Sequence, residues 1–501
     1  MADSKNQKWV HLIAIGGTGM GSMAGLIKDK GYFVTGSDGP IYPPMSDFLA
    51  QKQIPIVDEY SAENLKGSTW GIEKDRPDMV IVGNAISKGH VEASIVEDWV
   101  QDGYKRLSFP QALAEFAIQD KQSIVVAGTH GKTTTASIGA HALDVLGHEP
   151  GFFIGGIPLN FGYGCRSGAG NVFISEGDEY DTAYWDKVSK FLHYKPSWVL
   201  CTGIEFDHAD IFKDLAAVED SFLKLVDLTS EGWVGLVPEE SPSPASMSKC
   251  VERAKARNLP LINYGFTKGA DMRIESFEAS RLPWDKDCVG TKIQVAYKNK
   301  SHEFYSPMSG KHNALNMVGI LATFLGAGRL NSLDQTKDLF KNFKGIKRRQ
   351  EEKIRINDLI VIDDFAHHPS ATKETIAAIK MKFPDHQVAA FFEPRSATSA
   401  RNIFFDEFKD AFEQADAVFL SLPTKDNVPL DERLDVVGIV KYLVESSHFK
   451  GAAFYSKQVE ELISTFENWR EAHKNKTVAL VMSNGPFGGL IPKLIDKEQH
   501  G

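Results

Sequence analysis

The chain has 501 residues, too many for one hydrophobic core, and about three domains are expected. A formal net charge of −10 argues against a general nucleic-acid or membrane-surface binder, although local positive charge would still serve anionic substrates. Four cysteines, none in a C-x-x-C pair, give neither a zinc knuckle nor a disulfide framework, and a reducing cytoplasm fits best. The apolar stretch near the N-terminus is too short for a signal peptide, and no run reaches the length of a membrane span.

Residues 10–15 read as an apolar strand. Gly16-Gly17-Thr18-Gly19-Met20-Gly21 follows, then a helical pattern through Met23, Leu26 and Ile27. Residues 33–36 begin a second strand, with Asp38 at its end. This βαβ start has the form of a dinucleotide fingerprint. The backbone of Gly17, Thr18, Gly19 and Met20 can approach a pyrophosphate, and Asp38 can meet a ribose or base. NAD, FAD and UDP-sugars all fit, as does a tight turn with no ligand. Residues 79–83 are another buried strand, with Asn84 and Ser87 at its C-terminal end, where open α/β sheets gather ligands. An ordinary helix cap fits Ser87 equally well. Helices are expected over 91–101 and 110–119, and the polar residues 119–122 close a first domain, 1–122.

Residues 123–127 form a β-branched strand that stops at Gly128. Gly128-Thr129-His130-Gly131-Lys132-Thr133-Thr134 leads into a helix with Ala136, Ile138, Ala140 and Leu143 available for a buried face. Strand, glycine loop, lysine, threonine, helix is a phosphate-binding arrangement. Backbone N–H groups and the helix N-terminus meet the anion, Lys132 reaches terminal phosphates, and the Thr133 hydroxyl can hold Mg²⁺. The spacing departs from the usual loop, because only Thr129 and His130 separate the glycines. Residues 172–176 are a strand running into Gly177-Asp178-Glu179-Tyr180-Asp181. The carboxylates of Glu176, Asp178, Glu179 and Asp181 need a cation or basic partners unless they form a solvated turn. A further strand, 198–202, runs into Glu205-Phe206-Asp207-His208, where His208 stands among acids and points to a metal or phosphate.

Residues 241–249 read as a Ser/Pro-rich loop, and 272–305 alternate as antiparallel strands, a small β insertion. After Gly310-Lys311-His312, Asn313 and Asn316 share one face of a helix start, where two amides can read an adenine edge; N-capping is the alternative for Asn313. Residues 332–343 are expected to be the last helix of a second domain, 123–345. The basic run Lys347-Arg348-Arg349 opens a third, 346–501. Its strands at 359–362, 388–392, 417–420 and 478–482 alternate with helices, implying a parallel sheet. Asp364, His367 and Arg395 follow strand ends, where such a sheet presents its site.

Taken together, these motifs resemble the Mur ligase superfamily, in order and over almost the whole chain. They are the glycine turn, the loop at 128–134, Glu176-Gly177-Asp178-Glu179, Asp207-His208, His312-Asn313-Ala314-Leu315-Asn316, Arg348-Arg349 and residues 363–369. Residues 186–191, 205–212, 393–396 and 482–485 resemble the branch that ligates murein peptides in cell-wall recycling. Three positions depart from the pattern: Gly177 stands for alanine, Gln350 for an apolar residue, and Pro486 for glycine.

The resemblance implies an α/β fold of three domains. These are a Rossmann-like UDP-binding domain, a P-loop ATPase domain with a mainly parallel sheet, and a Rossmann-like C-terminal domain that binds peptide and closes on ATP. It implies a cytoplasmic ligase that joins UDP-N-acetylmuramate to a murein tripeptide, with ATP and Mg²⁺. Lys132 would hold the β/γ-phosphates. Thr133 and Glu176 would bind one Mg²⁺, and Glu176 with His208 a second. Asn313 and Asn316 would face adenine, Arg349 the phosphates and Asp364 the ribose. His367 and Arg395 would orient the carboxylate or stabilise the intermediate, unless they are interdomain salt bridges. Neither a nucleic-acid nor a membrane partner is implied, and oligomeric state is not legible. The alanine-adding ligase of the same family is the nearest alternative. A UDP-sugar sensor gated by nucleotide is another, but it would need no second metal. A Rossmann dehydrogenase would leave the phosphate loop unexplained.

Overall fold

The computed structural model describes residues 7–500 apart from residue 44, residues 208–210, residue 397 and residues 424–427. Three large sheets follow one another along the chain, with a two-stranded ribbon, Asp181–Ala183 and Asp186–Ser189, in the central region. The N-terminal sheet is wholly parallel, in the order Ile56–Val57, Phe33–Ser37, Trp9–Ile13, Met79–Val82, Arg106–Ser108. Trp9–Ile13 and Met79–Val82 are buried at every position, as strands covered on both faces require. The chain winds outward in both directions from Trp9–Ile13, so the glycine turn and helix Thr18–Asp29 lie at a topological switch point.

The central sheet has ten strands. Gln122–Ala127 pairs in parallel with Val172–Glu176 on one side and Trp198–Cys201 on the other. The C-terminal ends of all three therefore open on one edge. Gly232–Leu236 and Leu261–Gly265 continue the sheet in parallel. The antiparallel strands expected over 272–305 are Met272–Leu282, Asp285–Tyr297 and Lys300–Ser306, and they extend this same sheet. Two expectations are corrected. The Ser/Pro-rich stretch 241–249 is largely helix, Pro244–Ala256, because Pro244 occupies the first turn, where its missing N–H does no harm, and Met247, Cys250, Val251 and Ala254 make a buried stripe. The helix expected over 332–343 is only a single turn, Leu333–Thr336, started by a capping box from Ser332 and Gln335.

The C-terminal sheet runs Glu351–Ile356, Leu359–Asp364, Thr477–Met482, Gln387–Phe392, Ala417–Ser421, Ala452–Ser456, with only the first strand antiparallel. Its two faces form separate apolar cores. By contrast, one continuous core runs from Val10 in the N-terminal sheet to Ile346 at the end of the central region. Phe109 and Phe153 meet across that joint, ring centroids 4.8 Å apart. The C-terminal lobe is tied to the central one by hydrogen bonds from Ser370 to Glu205 and from Thr398 to Asp207. All four cysteines are free thiols. No helix among the described residues is long and apolar enough to cross a membrane.

Candidate active site

Gly128 ends the strand Gln122–Ala127, and helix Lys132–Val145 begins four residues later. Its N-cap, Gly131, has φ +82°, and a Cβ there would lie 2.8 Å from Asn316 Oδ1. Backbone conformation and close approach both demand glycine. The helix start leaves N–H groups without intrahelical partners, facing the loop. Lys132 Nζ donates to the carbonyls of Gly128 at 2.8 Å and Thr129 at 3.1 Å, and pairs with Glu179 at 2.7 Å. Burial works to deprotonate Lys132, but Glu179, Asp178 and Glu176 outweigh it and hold its pKa above the ordinary value. Thr133 Oγ1 donates to Glu176 Oε1 at 2.8 Å, and the Gly155 amide donates to Glu176 Oε2 at 2.8 Å. The acidic loop is thus bound into the basic one rather than solvated.

A cavity of about 270 Å³ lies beside this loop. His130, Gly131 and Thr134 line one side, Asn313 and Asn316 another, and Arg349 and Asp364 come from the C-terminal lobe. Gly310 is the N-cap of helix Lys311–Gly326, so Asn313 sits inside the first turn and caps nothing. Its Nδ2 donates to the Ser309 carbonyl at 2.7 Å, and Asn316 Nδ2 donates to Asn313 Oδ1 at 3.4 Å. The Asp364 carboxylate accepts the backbone amides of Gln350 and Ala366 at 2.7 and 2.8 Å, fixing the loop that carries Arg349. Arg349 lies over the Phe365 ring at 4.9 Å. Gln350 also lines the cavity, its Nε2 3.3 Å from His312 Nε2, so a polar side chain here meets a polar partner.

Glu205 clasps the two lobes. Its Oε2 is 2.9 Å from His130 Nε2, its Oε1 accepts the Ser370 hydroxyl at 2.8 Å, and His368 Nδ1 stands 3.9 Å away. The rings of His130 and His368 are 4.8 Å apart. Burial raises the proton affinity of Glu205, but His130 and His368 hold its carboxyl below the usual range. Burial pushes His368 itself down to about 4. Glu205, His368 and Ser370 were not singled out by the sequence. Each lies within or beside a motif, but only the fold brings the central and C-terminal lobes together.

His367 Nδ1 is 2.9 Å from the Phe365 carbonyl, and burial lowers its pKa despite the nearby Asp207 charge. Arg395 is half exposed; its Nη1 is 3.9 Å from Glu393 Oε1, and its side chain lies across Gly485. Neither residue is among those lining the cavity beside the phosphate loop. His208 lies outside the described residues.

A second cavity, about 640 Å³, opens at the N-terminal glycine turn and is lined by Gly17, Thr18, Gly19, Met20, Asp38 and Asn84. The Asp38 carboxylate accepts the Gly16 amide at 2.6 Å, the Gly39 amide at 2.7 Å and the Tyr60 hydroxyl at 2.9 Å. It braces the turn as well as facing the cavity. Ser87 is exposed, is not among the lining residues, and does not cap helix Val91–Gln101, whose N-cap is His90. The opposite wall belongs to the central lobe: Phe153, Gly155, Asp178 and Lys190.

The sequence profile of the Mur ligase family catalytic domain matches residues 9–121, that of the Mur ligase middle domain residues 126–324, and that of the Mur ligase glutamate ligase domain residues 348–485. A UDP-N-acetylmuramate–L-alanyl-γ-D-glutamyl-meso-2,6-diaminoheptandioate ligase of Haemophilus influenzae is 34% identical over 98% of this chain and 99% of its own length. A UDP-N-acetylmuramate–L-alanine ligase of Ligilactobacillus salivarius is 32% identical over 83% of each chain. Among solved structures, a murein peptide ligase from Psychrobacter arcticus superposes with a TM-score of 0.64 at 28% identity, over 99% of both chains. A phosphate loop at the edge of a three-lobed α/β fold, matched by all three family profiles in order, makes this chain a member of the Mur ligase family, the ATP-dependent amide-forming ligases.

Proposed function

We propose that this chain joins the lactyl carboxylate of UDP-N-acetylmuramate to the L-alanyl amine of L-alanyl-γ-D-glutamyl-meso-diaminopimelate, with ATP yielding ADP and phosphate, in peptidoglycan recycling. The end-to-end sequence match to the Haemophilus relative supports the tripeptide over free alanine, since the Ligilactobacillus alanine ligase matches in sequence over only 83% of each chain. One observation carries the reading. Glu176 bonds the Thr133 hydroxyl of the ATP loop with one oxygen and the amide of Gly155, which lines the glycine-turn cavity, with the other. Glu176 thus links the phosphate loop by hydrogen bonds to the wall of the glycine-turn cavity, which supports a reaction between a nucleotide sugar and ATP.

The physical difficulty is that a carboxylate must approach a polyphosphate, anion on anion. Positioning and electrostatic stabilisation are the contributions open to the protein. The glycine turn and the N-terminus of helix Thr18–Asp29 take the diphosphate of the UDP-sugar. Lys132 and the loop amides at 128–134 hold the β/γ-phosphates, Arg349 stands near them, Asp364 near the ribose, and Asn313 and Asn316 face adenine. A carboxylate oxygen attacks the γ-phosphorus, forming an acyl phosphate as the β–γ bridge breaks and ADP leaves. The amine nitrogen then attacks the carbonyl carbon, and the tetrahedral adduct expels phosphate along with that oxygen. His367 suits the proton transfer. Its Nδ1 carries the hydrogen donated to the Phe365 carbonyl, and burial keeps the ring neutral, leaving Nε2 to accept the proton that the amine loses. Arg395, a guanidinium of the same lobe, orients the carboxylate or stabilises the oxyanion.

Thr133 Oγ1 and Glu176 Oε1, 2.8 Å apart, are hard oxygen donors that would hold one Mg²⁺, and Glu176 with His208 would hold a second. When bound, these ions would supply positive charge to the phosphate oxygens. The test is to offer purified protein, ATP and UDP-N-acetylmuramate with either the tripeptide or free L-alanine, and to follow phosphate release. The tripeptide is expected to drive turnover. Release with alanine alone would identify the alanine-adding reaction instead.

A further inference from the structure

The wall that the central lobe presents to the glycine-turn cavity carries a charge the mechanism has not used. Among the described residues lining that cavity, Lys190 is the one cation, against two carboxylates, Asp38 and Asp178. Asp38 is held by two backbone amides and Tyr60. Asp178 accepts Lys190 Nζ at 2.7 Å. Lys190 is held in place from both ends. Its backbone amide donates to the Tyr180 carbonyl at 3.0 Å, and the next amide, Phe191, donates to the Asp178 carbonyl at 3.3 Å. An ammonium has three hydrogens; Asp178 takes one and the Tyr180 ring lies 5.7 Å from Nζ, which leaves donor capacity for a ligand.

Its position relative to the rest of the wall matters. The glycine turn lies on the N-terminal lobe and Lys190 on the central lobe, beside Gly155, whose amide leads through Glu176 to Thr133. A nucleotide sugar with its diphosphate on the turn extends toward this wall. Residues 178, 179, 132 and 190 also form two parallel pairs, Lys132 with Glu179 and Lys190 with Asp178. Adjacent acids thus brace two lysines, one toward ATP and the other toward the second cavity.

We propose that Lys190 is the positioning residue for the carboxylate of the nucleotide sugar: its ammonium, braced by Asp178, receives that carboxylate and holds it on the side of the cavity nearest the ATP loop. This rests on the UDP-N-acetylmuramate reading and gives that carboxylate a contact on the central lobe, separate from Arg395 of the C-terminal lobe. An Asp-braced lysine suits the task, because Asp178 holds the ammonium in place before substrate arrives. The same group also discriminates. A nucleotide sugar without a carboxylate gains nothing from Lys190 and leaves the Lys190–Asp178 pair as it is.

The test compares UDP-N-acetylmuramate with UDP-N-acetylglucosamine, which lacks the lactyl carboxylate, by calorimetric titration of wild type, Lys190→Met and Lys190→Arg. In Lys190→Met the muramate nucleotide is expected to bind about tenfold or more weakly, approaching the glucosamine nucleotide, whose own affinity stays unchanged. Lys190→Arg should keep much of the difference. In turnover, Lys190→Met should raise the KM for UDP-N-acetylmuramate and leave the KM for ATP alone. If Lys190→Met weakens both sugars equally, or neither, the proposal is wrong. If wild type itself fails to prefer the muramate nucleotide, the UDP-N-acetylmuramate reading has failed instead.

Discussion

The Thr133 hydroxyl and the Glu176 carboxylate are hydrogen-bonded at 2.8 Å, tying the first turn of the phosphate-loop helix to the end of the neighbouring strand. Parallel pairing of Gln122–Ala127 with Val172–Glu176 sets this meeting, because both strands end on the same edge. Glu176→Ala removes an oxygen donor from the point where charge must be neutralised. Turnover is expected to fall by about 10² or more, with the Mg²⁺ concentration for half-maximal rate moving upward. A Mg²⁺ titration of initial rates checks this, and an unchanged midpoint would reject the ligand role.

Asn316 stands where it can both read a base and crowd the loop: its Oδ1 lies 2.8 Å from the Cβ that Gly131 lacks. Asn316→Ala should mainly raise the KM for ATP, by about tenfold, and erode the preference for ATP over GTP. Competition of the two nucleotides in the ligation assay measures it. A variant that still strongly prefers ATP would contradict adenine reading.

The clasp at Glu205 predicts acid sensitivity. His368 is pushed down to about 4 from 6.5, chiefly by burial and then by His130. Between those values the unfolded chain binds a proton that the folded chain refuses. Stability is therefore complete above about pH 6.5 and falls as the pH drops, by about 1.4 kcal/mol per pH unit for one such group. His367, also lowered by burial, adds to the slope. Glu205 and Asp207 face the same groups, and Glu205, with a lowered pKa, gives up its contribution only below the ordinary carboxylate range. Melting temperature should decline from pH 7 to pH 5, and less steeply in His368→Leu. Parallel slopes in the two proteins would contradict the assignment.

Unequal joints predict motion. The N-terminal and central lobes share one apolar core, whereas the C-terminal lobe is held partly by the Glu205–Ser370 and Thr398–Asp207 hydrogen bonds. Such bonds contribute about 1 kcal/mol each, so a ligand spanning the seam shifts the balance toward closure. Small-angle scattering should give a smaller radius of gyration with ATP and UDP-N-acetylmuramate together than with neither. No compaction would count against a closing C-terminal lobe.

Much of this was legible in the chain. Helix Val91–Gln101 and strand Val172–Glu176 fall where their patterns put them, and the phosphate loop's strand and helix are off by a residue at most. The failures have local causes. Serines and prolines at 241–249 masked a helix whose buried stripe was nonetheless present at Met247, Cys250, Val251 and Ala254. The run 332–343 had helical composition but packs as a single turn and loops. Within the candidate site, residues in sequence motifs could be found, but partners contributed by other lobes could not. Ser370 on Glu205 and Gln350 beside His312 are set by tertiary packing, which carries no sequence periodicity.

The central claim is that the muramoyl carboxylate itself attacks ATP, beside the Thr133–Glu176 link. UDP-N-acetylmuramate labelled with ¹⁸O in its lactyl carboxylate, turned over with ATP and the tripeptide, tests this directly by mass spectrometry of the released phosphate. One labelled oxygen is expected in each phosphate, because the bridging oxygen of the acyl phosphate leaves with phosphorus. Unlabelled phosphate accompanying amide product would contradict the account.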